Sequence, residues 1–303
     1  MKVFWESFFA GLGVGSIYSL IGIGYTLILG SSGVFNFAQG TAVVIGAFIS
    51  YGLGYLLHVP ILLVVGVILF AGAVTGVFVN VVAVVPVFKR QGASGMTDAT
   101  FLSTLGVALT VQAVMALLFG TDVHPVSQYV RCQAFVIGGV PIRPIYVVTV
   151  VVVLFATFAF LMISRMTGAG LVMRASLDDL EGASLVGIPI SKVIRRTFLI
   201  GSMFAALAGF LVSPITYAST GIADQFTFFG FAAMAIGGFG NIPGALVGGL
   251  IVGVVGQVSS AWLDPHYSNI LIYVVMLVVL LLRPQGLFGS AGGGLRSQSI
   301  RDV

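Results

Sequence analysis

Charge is scarce in this 303-residue chain: Asp, Glu, Lys and Arg make up 7% of it, against 58% hydrophobic residues. A soluble domain carries about 25% charged residues. Too few are present to clothe a water-facing surface, so the bulk of the chain is expected to face lipid. The mean hydropathy of +1.15 agrees. Cysteine is nearly missing, and the lone Cys132 excludes an intramolecular disulfide and a thiolate metal cluster. The lysines are Lys2, Lys89 and Lys192, and none follows glycine. A Gly-Lys-Ser/Thr phosphate loop is therefore absent, and this chain is not expected to bind ATP in that manner. His58, His124 and His266 lie far apart without metal-ligand spacing and read as loop or interface residues. The net charge of +4 is small and marks a membrane face rather than a nucleic-acid partner. No cleavable leader stands out at the start, where Lys2, Trp5 and Glu6 run straight into a Gly-broken apolar stretch, which reads as a retained span.

What is present is a succession of apolar runs. The expected architecture is all-α: one polytopic transmembrane bundle over residues 1–303 with about eight crossings, at least two of them broken by glycine. A crossing needs about 20 apolar residues. The runs are 8–30, 34–57, 60–88, 99–119, 145–164, 193–213, 222–240 and 242–262, followed by 268–283. The run 60–88 is too long for an upright helix, so it tilts or leaves its end in the interface. The run 222–240 is short and broken. Lys89, Arg90, Arg165, Arg174, Lys192, Arg195, Arg196, Arg283, Arg296 and Arg301 fall on one side if 99–119 and 145–164 form an out-and-back pair. Only Lys2, Arg131 and Arg143 fall on the other. That asymmetry assigns the larger group, and the C-terminus, to the cytoplasm. By the same parity the N-terminus lies outside, unless one of the first broken segments re-enters.

Glycine occurs 41 times and recurs at helical spacing, as in GALVG at 244–248 and GLIVG at 249–253. Small residues four apart let helices approach closely in lipid, within one bundle or at a dimer seam. Two stretches carry polar groups where lipid would oppose them. The first, residues 33–41, holds Gly33, Asn36, Gln39, Gly40 and Thr41; the second, IGGFGNIPGA at 236–245, holds Gly238, Asn241 and Pro243. Broken helices with uncharged amides are tolerated in a membrane where they face protein or a water-filled cavity. Breaks in both halves of a chain point to a translocation path, expected here to run between Asn36, Gln39, Gly40, Thr41, Gly238 and Asn241. The plainer alternative is that the amides cap half-helices and tie the bundle together.

Residues 165–192 form the longest charged loop. Asp178, Asp179 and Glu181, followed by Ala183, Ser184, Leu185 and Val186, read as a short helix with an acidic first turn. Gly187 ends it, Ile188 follows, and Pro189 prevents continuation. Such a helix on the cytoplasmic face suits docking into a partner's groove; an ordinary solvated loop is the alternative. Asp224 and Asp264 read as loop carboxylates outside or at the boundary. No intramembrane acid–base or nucleophile pair is visible, which argues against an enzyme.

The segment EGASLVGIPISKV followed by FLIGSMFAALAGFL resembles the permeases of ATP-binding-cassette importers. Further blocks are GVGSIYSLIGIGYTLILGSSGVFNFAQGTAVVIGAF at 13–48, AAMAIGGFGNIPGALVGGLIVGVV at 232–255 and LLRPQGLFG at 281–289. Together they look like the permease of the branched-chain amino acid importer, LivH type. The resemblance implies that 165–192 is a coupling loop docking on an ATPase, and that this chain holds no cofactor, ATP and Mg being bound by that partner. It also implies two ATPase subunits, a solute-binding protein and a second permease, a paralogue or a copy of this chain, in a bacterial cytoplasmic membrane. Two positions depart from the family: Gln39 stands where a histidine is usual and Thr41 where an acidic residue is frequent, and PVFKRQGAS lacks the usual arginine-proline pair. A sugar-type importer permease is the competing transport reading. An ion-coupled carrier or channel acting alone would need carboxylates within its spans.

Overall fold

The computed structural model describes residues 2–91, 96–126, 129, 135–137 and 140–289. It is a polytopic helical bundle. The elements are α1 (Lys2–Ser32), α2 (Gln39–Ile49, extended by a π-helical turn Ser50–Leu56), α3 (Ile61–Val79, with a π-turn Asn80–Val84), α4 (Val85–Gln91), α5 (Met96–Phe119), the hairpin β1 (Phe135–Ile137) and β2 (Val140–Ile142), α6 (Pro144–Met166), α7 (Gly168–Asp178), α8 (Leu180–Leu185), α9 (Ile190–Thr216), α10 (Ile222–Gly237), α11 (Ile242–Ser260) and α12 (Pro265–Leu282). Seven helical stretches are long and apolar enough to cross a membrane, and Ile222–Gly237 and Tyr267–Leu282 are shorter apolar helices. The expected runs thus correspond to helices one by one. The long run 60–88 forms one helical stretch from Ile61 to Arg90, α3 passing through the π-turn straight into α4.

The centre is built by backbones in near contact. A Cβ on Gly11 would fall 2.7 Å from Val254 Cα, and one on Gly15 would fall 2.8 Å from Gly249 O. Gly253 in turn lies against Gly15, so α1 and α11 run antiparallel at the closest distance helices allow. Ser19 Oγ locks the pair by donating to Leu246 O at 2.7 Å. On the other flank Gly24 faces Gly201, while Gly46, Gly72 and Gly76 meet α9 from α2 and α3. The buried side chains of α1, α2, α9, α10 and α11 join one apolar core. α5 and α6 instead expose long apolar faces, including Leu109, Leu117, Phe155 and Phe158.

The charged termini gather at one end. Ser31 and Thr197 share a 2.6 Å hydrogen bond, Gly30 abuts Leu177, and Val84 packs with Ile194 and Phe198. The end of α1, the α3–α4 stretch, α7 and the start of α9 therefore lie together. That end carries Lys89, Arg90, Arg165, Arg174, Lys192, Arg195 and Arg196. Arg131, Cys132, Arg296 and Arg301 lie outside the described residues.

Gly253→Val should push α1 and α11 apart and cost about 1–3 kcal/mol, as overpacking does. Gly66→Ala, where nothing lies within 4 Å, should leave stability unchanged or raise it. Thermal unfolding of the purified variants in detergent reads the contrast.

Candidate translocation and coupling sites

α1 stops because Gly33 takes a left-handed turn, at φ 67°, which a Cβ would strain. The chain resumes as α2 at Gln39. Asn36 and Gln39 occupy this gap, and both are buried, at 1% and 0% exposure. Asn36 Oδ1 accepts from Ala38 N at 3.1 Å, and its Nδ2 donates to Gln39 Oε1 at 3.2 Å. Gln39 Nε2 then donates to Gly201 O, in the middle of α9, at 2.8 Å. Thr41 Oγ1 donates to Ala38 O at 2.6 Å, and Gly40 is pressed against Ala223 and Thr227 of α10. These side chains satisfy the broken backbone and fasten it to α9. In this single chain both amides are shut off from solvent, and their polar atoms are paired within the protein.

The second break is closed by other residues. Gly238 (φ 118°) and Gly240 (φ 80°) turn the chain between α10 and α11. Asn241 caps α11: its Oδ1 accepts from Gly244 N at 2.8 Å, while its Nδ2 donates to Phe288 O, also at 2.8 Å. Leu287 N and Phe288 N donate to the free carbonyls of Ile236 and Gly237. Residues 286–289 thus fill this gap, whereas α5 and α9 fill the first through Thr104, Phe101 and Gly201. Within this chain the first break is therefore packed by α5 and α9, and the second by the tail after α12.

The charged loop also differs from its reading. It holds two helices rather than one. α7 is capped by Thr167, whose Oγ1 accepts from Gly170 N at 3.1 Å, and it packs Met173 and Leu177 inward. Asp178 is its last residue, and Asp179 alone caps α8, accepting from Gly182 N at 2.9 Å. The side chains of Asp178 and Glu181 lie outside the described residues. Gly187 at φ 85° ends α8 as read: its N–H bonds Ser184 O, and Ile188 N reaches back to Ala183 O at 3.1 Å. Ala183 is buried, Ser184 is exposed and Ile188 is half-buried. Leu185 and Val186 stand 83% and 78% exposed.

Tyr129 and the Gln112 partner of Asp224 escaped the sequence reading. Tyr129, between α5 and β1, reaches into the bundle, where its hydroxyl meets Ser50 and Ser213 and its ring stacks on Phe210 at 4.3 Å. Burial raises its phenol above the ordinary value, and the two serine hydrogen bonds oppose that shift. Asp224, read as a boundary carboxylate, stands in the first turn of α10 beside Ala223, whose carbonyl abuts Gly40. Gln112, within the Ala99–Phe119 span, donates to Thr220 O at 3.2 Å and reaches Asp224 Oδ2 at 3.5 Å. A carboxylate inside an otherwise apolar helix was the available signal. Among the described residues, no group of three or more His, Cys, Asp or Glu forms a metal site.

The family model described as "Branched-chain amino acid transport system / permease component" matches residues 7–280. The chain belongs to that family. As a member of it, this permease is 30% identical to the high-affinity branched-chain amino acid transport system permease protein LivH of Escherichia coli strain K12, over 94% of this chain and 96% of that one. It is 29% identical to the corresponding BraD of Pseudomonas aeruginosa, over 92% and 94%. The fructose import permease FrcC of Rhizobium meliloti matches only 44% of this chain and 39% of its own, at 28% identity. Full-length agreement thus lies with the amino acid permeases.

Gln39→Ala removes the tie between the first break and α9 and leaves a void, so stability should fall by about 1–3 kcal/mol. Asp179→Ala, the loss of an exposed cap, should cost about 1 kcal/mol. Chemical or thermal unfolding of the two variants in detergent checks the ranking.

Proposed function

We propose that this permease is the membrane-spanning subunit of an ATP-driven importer that passes branched-chain or related amino acids, handed over by a solute-binding protein. Family membership over nearly the full chain is the observation that carries the reading. The absence of a Gly-Lys-Ser/Thr loop supports a separate ATPase pair that binds ATP and Mg. The basic end of the bundle is the cytoplasmic one, by the excess of Lys and Arg there. This puts the C-terminus inside and the N-terminus outside.

α7 and α8, within residues 165–192, form the coupling element. Its features fit mechanical docking. Asp179 and Gly187 fix both ends of α8, so a push is not absorbed by fraying. Leu185 and Val186 offer an apolar tip that water disfavours and a groove would cover. α7 joins α8 directly to the end of α1 through Gly30 and Leu177, so displacement of the tip moves a helix of the core. The second permease is a paralogue on the family's pattern, and the lipid- or partner-facing sides of α5 and α6 leave room for it. The sugar reading is disfavoured by the partial match alone.

Reconstitution with the partner ATPases, the second permease and the binding protein should give leucine-type uptake that requires ATP. Uptake by the chain alone, driven by an ion gradient, rejects the assignment. In the complete importer, Leu185→Glu combined with Val186→Glu should cut ATP-driven uptake at least about tenfold, since two charges replace an apolar contact. The melting temperature of the isolated chain should not change.

A further inference from the structure

We propose that the open face shared by α5 and α10 is a cargo site, where Asp224 receives the ammonium group of an amino acid and Phe228 carries its apolar side chain. The proposal rests on the amino acid permease reading and adds to it the residues that distinguish the two ends of the cargo.

Asp224 is exposed from this chain, yet its helix neighbours Ala223 and Thr227 pack on Gly40 at the start of α2. Its hydrogen-bond partner is the amide of Gln112 at 3.5 Å, and among the described residues no cation pairs with it. A carboxylate held beside Gln112 of the Ala99–Phe119 span and turned away from its own chain is a poor neighbour for hydrocarbon. Such residues face a wet cavity or a pairing group. The next turn of the same helix face presents Phe228, 45% exposed, four residues on. Its ring lies 6.4 Å from that of Phe37, which meets Phe101 edge-on at 4.6 Å. Gln225 is exposed beside them. One anionic group thus stands a helical turn from an aromatic shelf.

That pairing matches a hydrophobic amino acid. Its ammonium is attracted by the carboxylate and by the ring faces, and its branched side chain is sheltered by the phenylalanines. A divalent cation is a poor occupant, since one carboxylate and one amide fall short of the six or more oxygens calcium takes. A basic side chain from the partner permease is the rival occupant, and the test separates it.

The importer is reconstituted with all its subunits, and ATP-driven leucine uptake is compared for wild type, Asp224→Asn and Asp224→Glu. The expected result is at least a tenfold loss of uptake for Asp224→Asn and recovery to within threefold for Asp224→Glu, with unchanged melting temperatures. In parallel, Gln225→Cys in a Cys132→Ser background is exposed to a membrane-impermeant thiol reagent. Labelling should be fast, slowed by leucine, not slowed by 4-methylpentanoate, which lacks the amine, and no longer slowed by leucine once Asp224→Asn is added. Wild-type uptake by Asp224→Asn, an Asp224→Glu as inactive as Asp224→Asn, or a thiol at 225 that the reagent does not reach overturns the proposal; the last result assigns Asp224 to the partner chain. A wild-type importer that shows no ATP-driven leucine uptake rejects the amino acid permease reading instead.

Discussion

The bundle depends on backbone approaching backbone. In lipid the hydrophobic effect does not draw helices together, because acyl chains are as apolar as leucine. Close packing must supply the attraction, and dispersion grows with the number of atoms in contact. Gly11, Gly15, Gly249 and Gly253 remove the side chains that would hold α1 and α11 apart, and Gly24, Gly46, Gly72 and Gly76 do the same around α9. The result is a rigid inner set of helices on which less regular pieces can be hung.

Those pieces are the interrupted segments, and the chain treats them economically. The gap before α2 is closed by Asn36 and Gln39, the gap before α11 by Asn241 and the turn at 286–289. Several of the N–H and C=O groups left by the stopped helices find a partner within the protein, as lipid requires. Polar groups used in this way tie the bundle together. Asp224 with Gln112 has a different character: it is exposed from the chain, with exposed apolar residues such as Phe228 on the same helix. The distinction between a spent polar group and an open one separates scaffold from working surface here. At the basic end, α8 presents the reverse situation, an apolar tip in a polar setting.

Much of this architecture was legible from composition and periodicity. Every apolar run became a helix, since a segment with almost no charge and about 20 residues has few alternatives in a bilayer. Gly33, Gly187 and Gly238 marked turns because only glycine adopts their backbone cheaply. The direction of Asn36 and Gln39 was not legible. At a break neither the helical nor the strand period applies, so sequence spacing cannot say which way a side chain turns. The filling of the second gap by residues 286–289 was hidden for a related reason, since it joins segments far apart in the chain. Asp179 as a lone cap between α7 and α8 was half seen: the acidic pair was recognised, but not that a single extended residue divides it between two helices.

The sequence alone thus determined the membrane class, the order of the helices, the basic end and the places where helices stop. These follow from local composition, because solvation by lipid and the steric rules of glycine act residue by residue. Only the tertiary structure decided which polar groups are consumed inside the bundle and which stay open. That depends on what lies across the gap, here Gly201 for Gln39 and, among the described residues, no cation for Asp224, and such neighbours are brought together by packing rather than by position along the chain.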